Sequence, residues 1–173
     1  MPKNKNNIFL IGPMGSGKTS VAKKLSTMLR KKFVDTDTTI SNKTGVDINY
    51  IFDVEGEAGF RKREEAVLKK CVLEKNIVLS TGGGIVLSAN NRRRLKKHGV
   101  VIYLETSVES QEMRTLSNNN RPLLKNTEHK KTLQELMLTR GRLYEEIADI
   151  TIKTDDKSLQ EVATEVDSKI NEY

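Results

Sequence analysis

The sequence predicts an α/β sandwich, a parallel sheet covered by helices on both faces. Three observations carry that prediction. Short, unbroken apolar runs rich in β-branched residues recur along the chain. Stretches with apolar residues at helical spacing lie between them. The first run leads directly into a glycine-rich turn that opens a helix. Strands covered on both faces read as continuous apolar runs, because neither face meets water. Alternating strands and helices join by right-handed crossovers, which lay helices over the sheet.

The strands are predicted at 8–11 (IFLI), from Phe33 and Val34, at 77–79 (IVL), at 100–104 (VVIYL) and at 150–152. The first helix spans 18–31, with Val21, Ala22, Leu25, Met28 and Leu29 on one stripe. A second spans 57–74, with Phe60, Ala66, Val67, Cys71 and Val72. Ser88 is placed to cap a helix running to residue 97, and Ser107 one running to about residue 116. Helices over 130–147 and 159–170 complete the pattern. Two segments break it. Residues 38–56 read as a small helical insertion. Residues 117–128 (SNNNRPLLKNTE) are polar, with a proline and a basic centre, as suits a mobile lid.

A chain of 173 residues forms one domain and buries a core without disulfides. Its 36% hydrophobic and 31% charged residues give a globular balance, not a disordered one. The lone cysteine, Cys71, excludes a disulfide framework and a cysteine metal site, and its apolar neighbours mark a buried hydrophobe. His98 and His129 are too far apart to suggest a metal site; His98 suits a last helical turn, and His129 has no firm role. No apolar run approaches the ~20 residues of a membrane span. The N-terminal MPKNKNNIFLIG reads as a first strand, not a signal peptide, so a cytoplasmic protein is expected. The net charge of +7 permits nucleic-acid binding without arguing for it. The run RRRLKK at 92–97 reads as a solvated helix face.

The strongest signal is Gly12-Pro13-Met14-Gly15-Ser16-Gly17-Lys18-Thr19, which fits G-x-x-x-x-G-K-[ST] between a strand and a helix. Glycines let backbone N–H groups approach phosphate oxygens, and the helix N-terminus adds partial positive charge. Lys18 can reach the β- and γ-phosphates, and Thr19 can hold Mg²⁺ through its hydroxyl. Ser20 follows on the same turn. ATP is the expected co-substrate. A phosphate loop does not by itself choose among kinases, GTPases, helicases and transport ATPases.

Further motifs narrow the choice. Asp35 and Asp37 follow the second strand at the sheet end where α/β proteins bind ligands. If the chain stays extended here, the two carboxylates can serve different partners, one Mg²⁺ and one an acceptor hydroxyl. A helix cap and a turn residue explain them equally well in isolation; the adjacent phosphate loop favours function. Arg61 and Glu64 are three apart and can meet on one helix face, although a helical arginine is usually solvated. Held that way, the guanidinium suits a substrate carboxylate. Gly82, Gly83 and Gly84 end the third strand and suggest close approach of backbone to a ligand, a better account than a loose turn. Arg121 lies in the lid segment, and Arg140 on the helix after it. A lid arginine can cover transferred charge.

In this order, GPMGSGKT, DTD, GFRKREE, TGGG, RPLL and R-x-x-LYEEIAD resemble the shikimate kinases from residue 8 to about 156, and VVIYLE with YEEIADITI resembles the enterobacterial type. The resemblance implies a P-loop three-layer sandwich, one domain over 1–173. Its five-stranded parallel sheet would have order 2-3-1-4-5, with a substrate-binding insertion at about 38–63 and a lid at about 117–128. It implies phosphorylation of the 3-hydroxyl of shikimate in the pathway to chorismate, by a monomer. By the same resemblance Asp37 would bind and orient the shikimate hydroxyls. Arg61, Gly83 and Arg140, with Gly82 and Gly84 adjoining, would take the carboxylate. Thr19 and Asp35 would hold Mg²⁺, and Lys18 and Arg121 would steady the phosphoryl in flight. Arg114 would flank the adenine opposite 154–156, and Phe52 and Phe60 would line the acceptor pocket. The chain has Lys18-Thr19-Ser20 where many members have Lys-Ser-Thr, and either hydroxyl can ligate Mg²⁺. Gluconate kinase is the nearest rival, but has no need for three carboxylate-reading elements. A nucleoside monophosphate kinase would need a base-reading pocket. A nucleic-acid ATPase is poorly served by four Tyr, four Phe and no Trp.

Overall fold

The structure, a computed structural model, describes residues 3–116 and 128–173. Five parallel strands form one sheet in the order β2-β3-β1-β4-β5. They are β1 (Ile8–Ile11), β2 (Lys32–Asp35), β3 (Ile77–Ser80), β4 (Val100–Glu105) and β5 (Ile150–Lys153). The helices are α1 (Lys18–Met28), α2 (Thr36–Thr44), α3 (Ile48–Cys71), α4 (Ala89–His98), α5 (Val108–Thr115), α6 (His129–Ile147) and α7 (Leu159–Glu172). The anticipated sheet order and strand positions are those observed. The lid segment at 117–127, with Arg121, lies outside the described residues.

Alternation along β1 explains the layers. Phe9 and Ile11 join a core with Val67 and Leu68 of α3, Leu95 of α4 and Tyr144 of α6. Ile8 and Leu10 join the other core, with Val21, Ala22 and Leu25 of α1 and Val162, Ala163 and Val166 of α7. Successive side chains of a strand point to opposite faces, so a central strand must be apolar throughout. Ser88 and Ser107 cap α4 and α5 as expected, accepting from the backbone N–H groups of Asn91 and Ser110.

Three local readings change. The chain turns helical at Thr36, so Asp37 sits in the first turn of α2 and not on extended chain. The end of the insertion and the helix beyond it run together as one element, α3, kinked at Gly56, whose φ of 73° and ψ of 177° are not helical. Glycine takes that conformation without a Cβ clash, and the kink falls at the predicted boundary. The RRRLKK run is not uniformly solvated. Arg93, Lys96 and Lys97 are exposed, but Arg92 donates to the Val86 carbonyl (2.7 Å) and Arg94 pairs with Glu65 (3.4 Å). Cys71 is buried, and burial pushes its thiol pKa up, as befits an inert core residue. His129 Nε2 lies 2.6 Å from Thr115 Oγ1, tying the start of α6 to the end of α5.

Candidate active site

Parallel strands point their C-terminal ends to one edge, and the strand order reverses direction beside β1. The phosphate loop leaves β1 there. Gly12 has φ 149°, and a Cβ on it would stand 2.7 Å from the Leu104 carbonyl oxygen, so β4 lets only glycine pass. Gly12 and Ser16 lie beneath the loop surface, both buried. Lys18, 8% exposed, reaches back across the loop and donates to the carbonyls of Gly12 (2.7 Å) and Pro13 (2.9 Å). Its ammonium is thereby aimed over the turn that Gly15 and Gly17 shape.

Asp35 fills both roles that the sequence leaves open. Oδ1 accepts from the Thr38 N–H (3.0 Å) and caps α2, while Oδ2 accepts from Thr19 Oγ1 (3.1 Å). Thr19 Oγ1 also lies 3.3 Å from Ser80 Oγ. A hydroxyl, a carboxylate and a second hydroxyl thus meet beside the phosphate loop. These are hard oxygen donors, the kind Mg²⁺ takes alongside water and phosphate oxygens, so the residues fit that ion. Arg114 donates to the Gly15 carbonyl (3.0 Å) and to Thr154 Oγ1 (3.3 Å), joining the phosphate loop to the segment at 154–156.

A cavity of about 360 Å³ adjoins this edge, walled by Asp37, Phe52, Phe60, Arg61, Gly83 and Arg140 among others. A second, of about 250 Å³, runs along Gly15, Gly17, Lys18, Ser20 and Arg114. Met14, Thr19, Asp35, Asp37, Gly82 and Gly83 border both. The Phe52 and Phe60 rings pack with centroids 4.7 Å apart and form an apolar wall.

The acceptor side is strongly electrostatic. Arg61 Nη1 donates to Glu64 Oε1 (2.9 Å), and Nη2 to Glu57 Oε1 (3.2 Å). Glu64 is 1% exposed; burial raises its carboxyl pKa and outweighs the attraction of Arg61. Gly84 lies against the Arg61 guanidinium, where a Cβ would collide with it. Gly82 donates its N–H to Thr36 Oγ1 (3.1 Å), and the Glu64 and Asp37 carboxylates both approach it. Arg140, on α6, is 4% exposed, and burial pushes its guanidinium pKa below the ordinary value. Glu57 and Glu64 pair with Arg61, and no ion pair to Arg140 occurs among the described residues. Tyr144 and Glu57 offset only part of the cost of burying that charge, so an anion reaching Arg140 would be held strongly.

The shikimate kinase family model matches residues 14–171, nearly the whole chain. The chain belongs to the shikimate kinase family. It is 51% identical over 168 residues to the shikimate kinase of Vibrio parahaemolyticus, covering 97% of this chain and 98% of that one. The solved structure of shikimate kinase from Acinetobacter baumannii in complex with shikimate matches with a TM-score of 0.95 at 42% identity, covering 98% of this chain and 95% of that one. A gluconokinase from Sinorhizobium meliloti matches with a TM-score of 0.62 at 14% identity, covering 99% and 94%, and shares the fold alone. The shikimate kinase family therefore prevails over the gluconate rival.

All the anticipated site residues that the structure describes meet at this edge of the sheet. Arg121 lies outside the described residues. Sequence reasoning misses Ser80, Thr36 and Tyr144, whose hydroxyls touch Thr19, Gly82 and Gly83. The serine and threonine adjoin flagged motifs but carry no pattern of their own. Tyr144 follows Arg140 by one helical turn, a spacing that places the two on one face.

Proposed function

We propose that this chain transfers the γ-phosphoryl group of ATP to the 3-hydroxyl of shikimate, giving ADP and shikimate 3-phosphate. The observation that carries the reading is the buried Arg140 guanidinium, facing the same cleft as Arg61, Asp37 and the phosphate loop. An acid with several hydroxyls matches that wall: two guanidiniums for its carboxylate, Asp37 for its hydroxyls, and two phenyl rings for its ring.

Positioning supplies most of the catalysis, because the transition state is loose and needs little covalent help. Arg61 and Arg140 hold the carboxylate beside the turn at Gly82, Gly83 and Gly84. Asp37 accepts a hydrogen bond from the attacking hydroxyl and orients its lone pair toward the γ-phosphorus. The new O–P bond forms as the bond to the β–γ bridging oxygen breaks, and the hydroxyl proton passes to Asp37 late in the step. Lys18 and the phosphate-loop N–H groups balance charge on the β- and γ-oxygens, with Arg121 assigned the same task. Thr19 and Asp35 would hold Mg²⁺, which when bound neutralises phosphate charge. Arg114 takes the adenine side. The same reading makes the protein a cytoplasmic monomer that acts on two small molecules, with neither nucleic acid nor membrane as partner.

A coupled ADP-release assay with MgATP tests it, comparing shikimate, gluconate and no acceptor. Shikimate-dependent turnover that is lost in Arg61→Ala is the expected result. ADP release of equal rate with and without acceptor would sink the acceptor assignment and leave an ATPase.

A further inference from the structure

Helix α6 brings more than Arg140 to the acceptor side. Tyr144 lies one turn further along, and its side chain is fully buried. Its hydroxyl donates a 2.5 Å hydrogen bond to the Gly83 carbonyl. The ring stacks on Tyr103 of β4, with centroids 5.1 Å apart and planes inclined by 26°, which packs it on that face. Burial pushes the Tyr144 pKa far up, which keeps the hydroxyl a proton donor across the working pH range. A phenylalanine would fill the same space without the cost of desolvating an oxygen, so the hydroxyl calls for a reason of its own.

Gly83 supplies that reason. A Cβ there would stand 3.5 Å from the Met14 backbone nitrogen, 3.6 Å from the Gly12 carbonyl oxygen and 3.6 Å from Arg140 Nη1. Gly83 therefore sits between the phosphate loop and the buried guanidinium, with room on that side for little more than a methyl group. A peptide between glycines turns easily unless something holds its carbonyl. Tyr144 does so, from the same helix face that carries Arg140. A small cavity lined by Pro13, Met14, Arg140 and Tyr144 places the phosphate loop beside this part of α6.

We propose that Tyr144 is a positioning residue of the acceptor site, whose hydroxyl locks the Gly83 peptide against the Arg140 guanidinium so that the two present a fixed receptor to the substrate carboxylate. This rests on the assignment of that cleft to shikimate. The phenol touches neither substrate; it acts through Gly83 and Arg140.

The test compares two acceptors in each of three proteins: shikimate and its uncharged methyl ester, with wild type, Tyr144→Phe and Tyr103→Phe. The quantity read is the ratio of kcat/KM for acid over ester. That ratio is internal to each protein, so a lower folded fraction cancels. Wild type favours the acid. Tyr144→Phe is expected to lower the ratio about 10-fold, the worth of one ordered hydrogen bond, with KM for ATP changed less than about twofold. Tyr103→Phe, which changes the ring stacked on Tyr144 and leaves the Tyr144–Gly83 hydrogen bond in place, is expected to keep the wild-type ratio. An unchanged ratio in Tyr144→Phe, with or without a common fall in both rates, would reduce Tyr144 to a packing residue and overturn the proposal. Equal use of acid and ester by wild type would instead overturn the acceptor assignment beneath it.

Discussion

Methionine in place of Arg140 separates binding from folding, because the two respond in opposite directions. The guanidinium is 4% exposed, and the neighbouring carboxylates Glu57 and Glu64 pair with Arg61 instead. Methionine keeps an apolar stem of similar length and adapts to irregular space, so the packing of α6 survives. What disappears is a charge-assisted bond to the bound carboxylate, about 1.5–3 kcal/mol. At about 1.4 kcal/mol per decade, KM for shikimate is expected to rise about 10- to 100-fold. KM for ATP is expected to stay within about twofold of wild type, since a spectator to the nucleotide contributes at most a few tenths of a kcal/mol there. Folding gains what binding loses. The buried guanidinium carries a desolvation cost, seen in its lowered pKa and only partly offset by Tyr144 and Glu57, and methionine carries none. The Tm of the free protein is therefore expected to hold or to rise by about 2–4 °C, the response to about 1 kcal/mol in a domain of this size. Coupled ADP release over a grid of both substrates gives the two KM values, and scanning calorimetry gives Tm. A lower Tm with an unchanged shikimate KM would refute the reasoning, because Arg140 would then be part of the fold and not of the receptor.

Two other substitutions probe the same wall. Gly84→Ala places a methyl group against the Arg61 guanidinium. Displacing Arg61 is expected to raise KM for shikimate about 10-fold or more, at constant KM for ATP; equal kinetics would show that Arg61 has room to yield. Glu64→Gln keeps a carbonyl acceptor for Arg61 and removes a carboxyl whose pKa burial raises above its ordinary 4.5. In the folded chain that carboxyl holds its proton to higher pH than in the unfolded chain. Its contribution is fully present below the unfolded value and is lost as pH rises through the folded one. Glu64→Gln should then melt like wild type in acid and above it at mildly alkaline pH, and a Tm difference independent of pH would contradict the shift.

The parts of this site legible in the sequence are those written contiguously. The phosphate loop needs its glycines, Lys18 and Thr19 within one turn, so spacing alone reveals it. The break at Gly56 is legible because glycine weakens a helix interior. Asp37 belongs to the site as the sequence suggests, but for a different geometric reason. The chain there is not extended: Asp35 caps a helix that begins at Thr36 and carries Asp37 into its first turn. Ser80 is invisible for another reason. Its approach to Thr19 depends on register, in which Ser80 of β3 pairs with Asp35 of β2, and no local pattern encodes register. Residue type and spacing leave Arg140 one of several arginines near the lid segment, and only the resemblance singles it out. Its burial, the property that distinguishes it from the exposed Arg142 two residues on, appears only in the packed structure.

Register also explains why a phosphate site and an acid site share one wall. Leu10 of β1 pairs with Ser80 of β3, and Thr81 donates both its N–H (3.3 Å) and its hydroxyl (2.8 Å) to the Leu10 carbonyl. The two strands therefore end level, about 4.8 Å apart, and the turns that leave them must touch. Gly83 is where they do so, beside Gly12 and Met14. The glycine there lies between both turns, while the charged side chains of the adjoining cavity come from elsewhere: Asp37 from α2, Arg61 and Glu64 from α3, Arg140 from α6. A fold arranged this way keeps its phosphate chemistry on the sheet edge and its acceptor choice on the surrounding helices. Changing the acceptor then requires new residues on α2, α3 and α6, with the phosphate loop left as it is.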